Sequence, residues 1–331
     1  MKLIKFKEDA KYAFVAGRIR VREKELLKKE DFENLLNKEE EKSFLDYLKE
    51  TSYQKFLEEK VEKILWNAQL ENYQFFKNYC LDDWLYYSVL FEYDLHNLKV
   101  YLKSEILKKD FSLYFSRFSA IPINILKNLF QIKIENEYLL KIKELIKETI
   151  SYFEEVKNLT LLDIFVDKRM FTLAYEYAKN SDFLKLYFEE KAFQKNILTT
   201  LRMKRKGVYF LEKDFYFFLL PYSFYGFSFY YEILKTDWEK IPLLFKGDYF
   251  SIIKEGLMDY QKEGNFILLE NLFKKRLLSF ANFTKYLIFG GELLCSYYWQ
   301  RDNEVDNLSK IYYLKIKEKL PKEWIAKFLI I

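Results

Sequence analysis

The sequence predicts an all-α protein built from three copies of one helical unit, and three observations carry that prediction. Turn-forming residues are scarce: 8 Gly and 4 Pro in 331 residues, where average usage gives roughly 40. Sheet-rich folds need those residues at their turns, so the scarcity favours long helices. Apolar residues recur three and four apart between Lys and Glu over most of the chain, which is the period of one helix face. Finally, an Asn-apolar pattern occurs three times, as Asp94-Leu-His-Asn-Leu-Lys-Val-Tyr-Leu-Lys, Phe193-Gln-Lys-Asn-Ile-Leu-Thr-Thr-Leu-Arg and Glu304-Val-Asp-Asn-Leu-Ser-Lys-Ile-Tyr-Tyr.

The three asparagines, Asn97, Asn196 and Asn307, are 99 and 111 residues apart. Each is followed at once by Leu98, Ile197 or Leu308, and four positions later by Leu102, Leu201 or Tyr312. That spacing keeps both apolar residues on one helix face. Position eight is Glu105, Lys204 or Lys315, where the next turn is expected to return to water. Tyr87 and Tyr297 stand ten residues ahead of the outer two asparagines, with Leu186 in the middle. Acids crowd the approach: Glu92 and Asp94, Glu189 and Glu190, then Asp302, Glu304 and Asp306. Placed early in a helix they complement its positive end, a structural reading that needs no chemistry. With Pro122 and Pro221 near unit boundaries, the chain divides into repeats at 1–118, 119–222 and 223–331.

Helices are expected over Glu23–Leu36, Glu39–Trp66, Trp84–Lys109, Glu137–Val156, Phe171–Ala178, Phe183–Lys206 and Leu268–Phe280. Lys204-Arg-Lys-Gly207 reads as a helix C-terminus, with cations at the carbonyl end and glycine beyond it. Tyr209–Leu220 reads as a short extended piece. The longest uncharged run, Phe215–Tyr231, contains Pro221 and Gly226. It falls short of the roughly 20 apolar residues of a spanning helix and is expected in a core or an interface. The N-terminus lacks the apolar stretch of a signal peptide. Cys80 and Cys295 have no CxxC or histidine neighbour and read as ordinary buried thiols of a reducing compartment.

Enzyme chemistry recedes by subtraction. The eight glycines form neither GxGxxG nor GxxxxGK, so both phosphate cradles are missing. One histidine, His96, allows no HExxH motif, and alone on a helix it reads as a packed or exposed side chain. Asp82-Asp83 is followed by Tyr86 where an acidic magnesium motif needs a third Asp. No cofactor and no metal is expected. A net charge of +5 gives no general affinity for nucleic acid. Two local basic patches stand out, Arg18, Arg20 and Arg22, and Arg202, Lys204, Arg205 and Lys206. They read as solvated helix faces, as phosphate or lipid contacts, or as contacts to acidic residues of a partner protein.

Several segments together resemble the C-type stalk subunits of the V/A-type ATPases, a family whose eukaryotic counterparts are the d-type subunits. Tyr12-Ala-Phe-Val-Ala-Gly-Arg-Ile-Arg-Val-Arg with Leu26-Leu27, Asp31-Phe32 and Leu35 is similar to that family's first helix. Tyr93-Asp-Leu-His-Asn-Leu resembles its first-repeat signature, and Phe289-Gly-Gly-Glu-Leu-Leu-Cys-Ser-Tyr-Tyr-Trp-Gln-Arg-Asp-Asn-Glu-Val-Asp-Asn-Leu its C-terminal motif of glycine turn, helix, acid and Asn-Leu. Lys317-Glu-Lys-Leu-Pro-Lys-Glu-Trp-Ile is similar to the ending that follows. The pattern departs at Gly291, where many relatives carry Pro, and at Phe193 and Lys195, which replace the usual acids. The resemblance implies a noncatalytic funnel of three pseudo-symmetric helical lobes. It would sit peripherally, through protein contacts, at the cytoplasmic face of the membrane, on the rotor ring, and receive the end of the rotor shaft. The sequence also suits a generic helical-repeat adaptor that binds another protein.

Overall fold

The computed structural model describes residue 6 and residues 8–56, 58, 60–207 and 211–331. Among them the chain is helical, with no strand. The helices are α1 (Ala13–Glu23), α2 (Lys29–Leu36), α3 (Glu41–Lys49), α4 (Val61–Tyr79), α5 (Asp83–Val89), α6 (Phe91–Leu107), α7 (Ile123–Lys127), α8 (Glu137–Val156), α9 (Leu159–Ala178) and α10 (Asp182–Arg205). After these come α11 (Glu212–Phe215), α12 (Phe227–Lys235), α13 (Asp248–Glu263), α14 (Ile267–Leu278), α15 (Gly291–Lys310) and α16 (Lys322–Ala326). The residues group into two compact units. One comprises Leu81–Thr199 with Arg205–Phe229; the other comprises Phe6–Cys80, Thr200–Lys204 and Tyr230–Ile331.

In the first unit, α8 illustrates how the period becomes a core. Tyr138, Ile142, Leu145, Ile146 and Thr149 are its buried side chains, spaced three and four apart. The Asn136 side chain accepts from the Leu139 N–H at 3.0 Å and starts the helix. Lys157 ends it in a left-handed conformation, φ 46°, with its N–H on the Phe153 carbonyl at 2.8 Å. The buried face joins Leu98, Leu102, Leu162, Val166 and Met170 of α6 and α9 in one apolar core. Each such side chain contributes about 1.5–3 kcal/mol when removed from water.

In the second unit α15 is buried along nearly its whole length and packs on α1 and α4. The Asn72 amide of α4 donates to the Tyr298 carbonyl at 3.0 Å. Beyond Lys310 the helix widens into a π-turned segment, Ile311–Lys317, where the Glu318 N–H reaches the Tyr313 carbonyl at 2.9 Å. This segment shares a core with α2, α3 and α4, including Leu35, Phe44, Leu48, Ile64 and Tyr312. Its lysines pair with acids flanking the same region: buried Lys315 has Nζ 2.7 Å from Glu39, and Lys317 Nζ lies 2.9 Å from Glu41.

Glu137–Val156 has the expected limits, but several other helices differ. The stretch expected as one helix over Glu39–Trp66 breaks after Lys49. Thr51 Oγ1 donates to the Leu48 carbonyl at 2.8 Å and Ser52 Oγ to the Glu25 carbonyl at 2.9 Å, so two hydroxyls turn the chain aside. The helix expected over Glu23–Leu36 starts only at Lys29, because Asp31 accepts from the Lys28 N–H at 2.7 Å and the Leu27 N–H is drawn to Glu304. Trp84–Lys109 is interrupted at Leu90, and the helix expected over Phe171–Ala178 begins twelve residues earlier, at Leu159. Of the piece expected as extended, Tyr209 and Phe210 lie outside the described residues, while 212–218 forms helical turns with Leu211 and Leu219 extended on either side.

Candidate functional site

Asn97, Asn196 and Asn307 lie on α6, α10 and α15, and all three are buried. A buried amide has to find partners for both its donor and its acceptor. Asn97 Nδ2 donates to the Ser116 carbonyl at 2.8 Å, and the Ser116 N–H donates back to Asn97 Oδ1 at 2.8 Å. Asn196 makes the same exchange with Leu220, at 2.9 and 2.7 Å. Asn307 makes it with Ile330, at 2.9 and 3.0 Å. Each amide thus clasps both polar groups of one later backbone residue. The apolar positions beside them, Leu98, Ile197 and Leu308, then Leu102, Leu201 and Tyr312, are buried as well.

Among its described residues, the chain between asparagine and clasped residue shares two features in all three cases. It leaves the helix through a left-handed residue, Lys108 (φ 53°), Gly207 (φ 63°) or Lys319 (φ 57°). It then makes a short helical turn, at Ser112–Tyr114, 212–218 or Lys322–Ala326, before reaching the clasp. The left-handed residue stands eleven positions after Asn97 and Asn196 but twelve after Asn307. The π-turned segment accounts for the difference, since a π turn holds one more residue than an α turn.

Three residues before each asparagine the copies diverge. Asp94 accepts from the Ile121 N–H and the Tyr138 hydroxyl, both at 2.9 Å. Burial pushes its carboxyl up to about 7, against the pull of the Ile121 N–H, the Tyr138 hydroxyl and the Ala120 N–H. Glu304 accepts from the Leu27 N–H at 2.6 Å, from the Tyr53 hydroxyl at 2.8 Å and from Arg301, whose guanidinium lies 4.4 Å over the Tyr53 ring. Burial raises its carboxyl too, with Arg301 opposing. In the middle helix Phe193 replaces the acid and stacks on Tyr225, ring centres 5.3 Å apart. The sequence signal for this position was the i−3 spacing, which puts the side chain on the face of the asparagine. The tyrosines that complete it, Tyr53 and Tyr138, carry no such signal.

Two expectations about these helices need correction. Glu189, Glu190, Asp302, Glu304 and Asp306 do not sit at helix starts, because α10 begins at Asp182 and α15 at Gly291. Only Glu92 and Asp94 occupy a first turn. The charged eighth position returns to water only at Glu105. Lys204 donates to the Leu234 carbonyl at 2.9 Å beside the Trp238 ring, and desolvation lowers its pKa. Lys315 is buried against Glu39.

The basic residues separate by what they touch. Arg22 pairs with Glu71 at 2.6 Å and stacks 4.1 Å over Phe75. Arg20 pairs with Glu23 at 2.8 Å and donates to the Lys285 and Leu287 carbonyls at 3.1 and 2.6 Å. Arg18 is exposed, bonded to the Tyr79 hydroxyl and lying over the Phe14 and Tyr79 rings. Arg202 is half-exposed beside Glu270 at 2.7 Å, and Arg205 and Lys206 are exposed. His96 is exposed, with Nε2 2.7 Å from the Tyr114 carbonyl. Among the described residues, no group of three or more His, Cys, Asp and Glu side chains is placed to hold a metal ion, and no helix is long and apolar enough to cross a membrane.

No curated protein matches the chain. The profile of the ATP synthase (C/AC39) subunit family does match it, over residues 15–328, a span that includes all three asparagine helices and the Asn97 and Asn196 clasps entire. The chain belongs to the ATP synthase (C/AC39) subunit family of the V/A-type ATPases.

Proposed function

We propose that the chain is a noncatalytic central-stalk subunit of a rotary V/A-type ATPase, which couples the rotor shaft to the membrane ring during ATP-linked proton or sodium transport. It would sit peripherally on the cytoplasmic face, held by protein contacts. Its three helical lobes, 1–118, 119–222 and 223–331, would form a funnel whose opening takes the shaft. The observation that carries this reading is the threefold clasp within a chain of this family. Ser116, Leu220 and Ile330 each fall within two residues of a proposed lobe end, so each clasp would close its own lobe. Several rigid lobes about an axis resist torque better than one patch does. A lobe stapled to its own tail by a buried amide is stiff where a coupler has to be. Arg18, Arg202, Arg205 and Lys206 are the exposed members of the basic patches, Arg202 already beside Glu270, and they would be the ones to meet acidic partners. Arg20, Arg22 and Lys204 hold the fold together around them.

The test is reconstitution of the complex with and without this subunit. Without it, the soluble head should still hydrolyse ATP while ATP-driven ion movement is lost. Tight coupling in membranes that lack the subunit would overturn the proposal and leave the helical-repeat adaptor in its place.

A further inference from the structure

The turn that follows α6, residues 108–116, is bonded along its length. Ser104 Oγ donates to the Lys109 carbonyl at 2.6 Å, and Asp110 accepts from the Ser112 N–H at 2.8 Å and from the Ser112 hydroxyl at 3.1 Å. The Tyr114 N–H donates to the Phe111 carbonyl at 3.0 Å, and His96 Nε2 lies 2.7 Å from the Tyr114 carbonyl. The Asn97 clasp then takes both polar groups of Ser116. So fixed, the turn presents two apolar side chains to solvent, Leu113 at 96% and Tyr114 at 65% exposure. A leucine that bare adds almost nothing to the fold, because apolar stabilisation comes from area removed from water. With the backbone bonded on both sides of it, the side chain has no local route into cover.

Cations flank this tip. Lys108 and Lys109 precede it, Arg117 follows it, and Lys127 places Nζ 5.1 Å from the centre of the Phe115 ring; all four are exposed. Two acids stand among them. Glu105 lies 4.0 Å from Lys108, and the Asp110 carboxylate is occupied by Ser112, whose two bonds hold its pKa below the ordinary carboxylate value. The cations are therefore in excess where the apolar side chains project.

We infer that this tip is a contact for an anionic lipid surface, with Leu113 and Tyr114 entering the headgroup layer and the surrounding cations meeting lipid phosphates. Shape and charge select that occupant together. Exposure as complete as that of Leu113 leaves no wall of its own chain beside it, so there is no groove in which a partner helix would lie. A bilayer yields around apolar side chains that lead, and it sets negative charge beside its apolar interior, which matches cations placed behind an apolar tip. Tyrosine suits that boundary, its ring toward the acyl chains and its hydroxyl toward water. The inference rests on the proposed peripheral position only for bringing a bilayer within reach.

The test is sedimentation of the purified full chain with vesicles of phosphatidylcholine alone and of phosphatidylcholine with phosphatidylglycerol. The chain should bind the anionic vesicles about tenfold or more tightly than the neutral ones, and added salt should weaken that binding. Leu113→Ser should reduce it about fivefold or more. Lys108→Gln combined with Lys109→Gln should reduce it about tenfold or more, at roughly fivefold per charge. Leu243→Ser, at a side chain 71% exposed elsewhere, should stay within about twofold of the parent. Because all of these positions are on the surface, the melting temperature should stay where it is in each variant. In the intact complex in its native membrane, p-benzoylphenylalanine in place of Leu113 should crosslink to lipid on illumination. Equal affinity for the two kinds of vesicle, no binding to either, or binding that Leu113→Ser or the lysine pair leaves unchanged overturns the inference, and so does an equal loss in Leu243→Ser. A crosslink from position 113 to a polypeptide in place of lipid overturns it as well and makes the tip a protein contact. Vesicle binding is read on the isolated chain, so its failure is distinct from failure of the reconstitution test of the coupling role.

Discussion

Asn307 and Ile330 hold each other by two hydrogen bonds, amide to carbonyl at 2.9 Å and backbone N–H to amide oxygen at 3.0 Å. Both residues are buried, so neither bond competes with water. Replacing Asn307 by Ala removes both bonds and strands a buried N–H and a buried carbonyl. Each stranded group costs about 1–3 kcal/mol. Urea unfolding of Asn97→Ala, Asn196→Ala and Asn307→Ala should therefore show losses of about 2–4 kcal/mol each. Asn128→Ala, at an exposed site, should stay within about 0.5 kcal/mol of the parent. A loss under about 0.5 kcal/mol at all three clasps would remove their structural role.

Asp94 predicts a pH dependence of definite sign. Its folded carboxyl is pushed up to about 7, while the unfolded chain's is near the ordinary value of about 3.9. The folded state therefore binds the proton more tightly. The stability this confers is fully present below about pH 4 and is lost as pH rises through about 7. Across that window the slope from this one group reaches about 1.4 kcal/mol per pH unit. Asp94→Asn cannot titrate, so the difference between variant and parent, measured by urea unfolding from pH 4.5 to 8, should move in the variant's favour as pH rises. A difference that stays flat would mean Asp94 keeps an ordinary carboxyl pKa.

Glu304 and Arg301 form a buried ion pair beside Tyr53. Removing one partner strands the other charge in the core, at a cost of about 3–5 kcal/mol. Arg301→Met should fall in that range, and Arg301→Met combined with Glu304→Leu should recover part of the loss. Chemical denaturation of the two single variants and the double variant checks this through the coupling energy. If the double variant is as unstable as the sum of the singles, the pair contributes no coupling.

Two glycines predict opposite outcomes for the same substitution. Gly256 on α13 faces α14 so closely that an added Cβ would lie 2.7 Å from Leu269 Cβ and Cδ1. Gly256→Ala should cost about 1–3 kcal/mol through overpacking. Gly17, on the exposed face of α1, has open space, and Gly17→Ala should stabilise by about 0.5–1 kcal/mol through helix propensity. Thermal melts of the two variants should move in opposite directions.

Much was legible in the sequence because it depends on local rules. The scarcity of Gly and Pro and the 3.6-residue period specify helices without reference to distant partners, and α8 has the limits its period predicts. The recurrence of Asn followed by two apolar residues four apart marked the three helices that carry the clasps. Family membership was readable from the order of short motifs between Tyr12 and Ile325. What the tertiary structure alone decided was the partner of each polar group. Leu27 leaves the helical pattern because Glu304, 277 residues away, accepts its N–H. Glu304 looks like a helix-start charge in one dimension and lies mid-helix as a buried acceptor for Tyr53 in three, while Asp94, which does stand in a first turn, is also a buried acceptor for Tyr138. Arg20 looks like its neighbour Arg18 in the sequence, yet one ties down segment 285–288 and the other faces solvent. Helix periodicity tells which face turns inward, but a buried donor or acceptor is satisfied by whatever the folded chain brings to it, and local sequence holds no record of that.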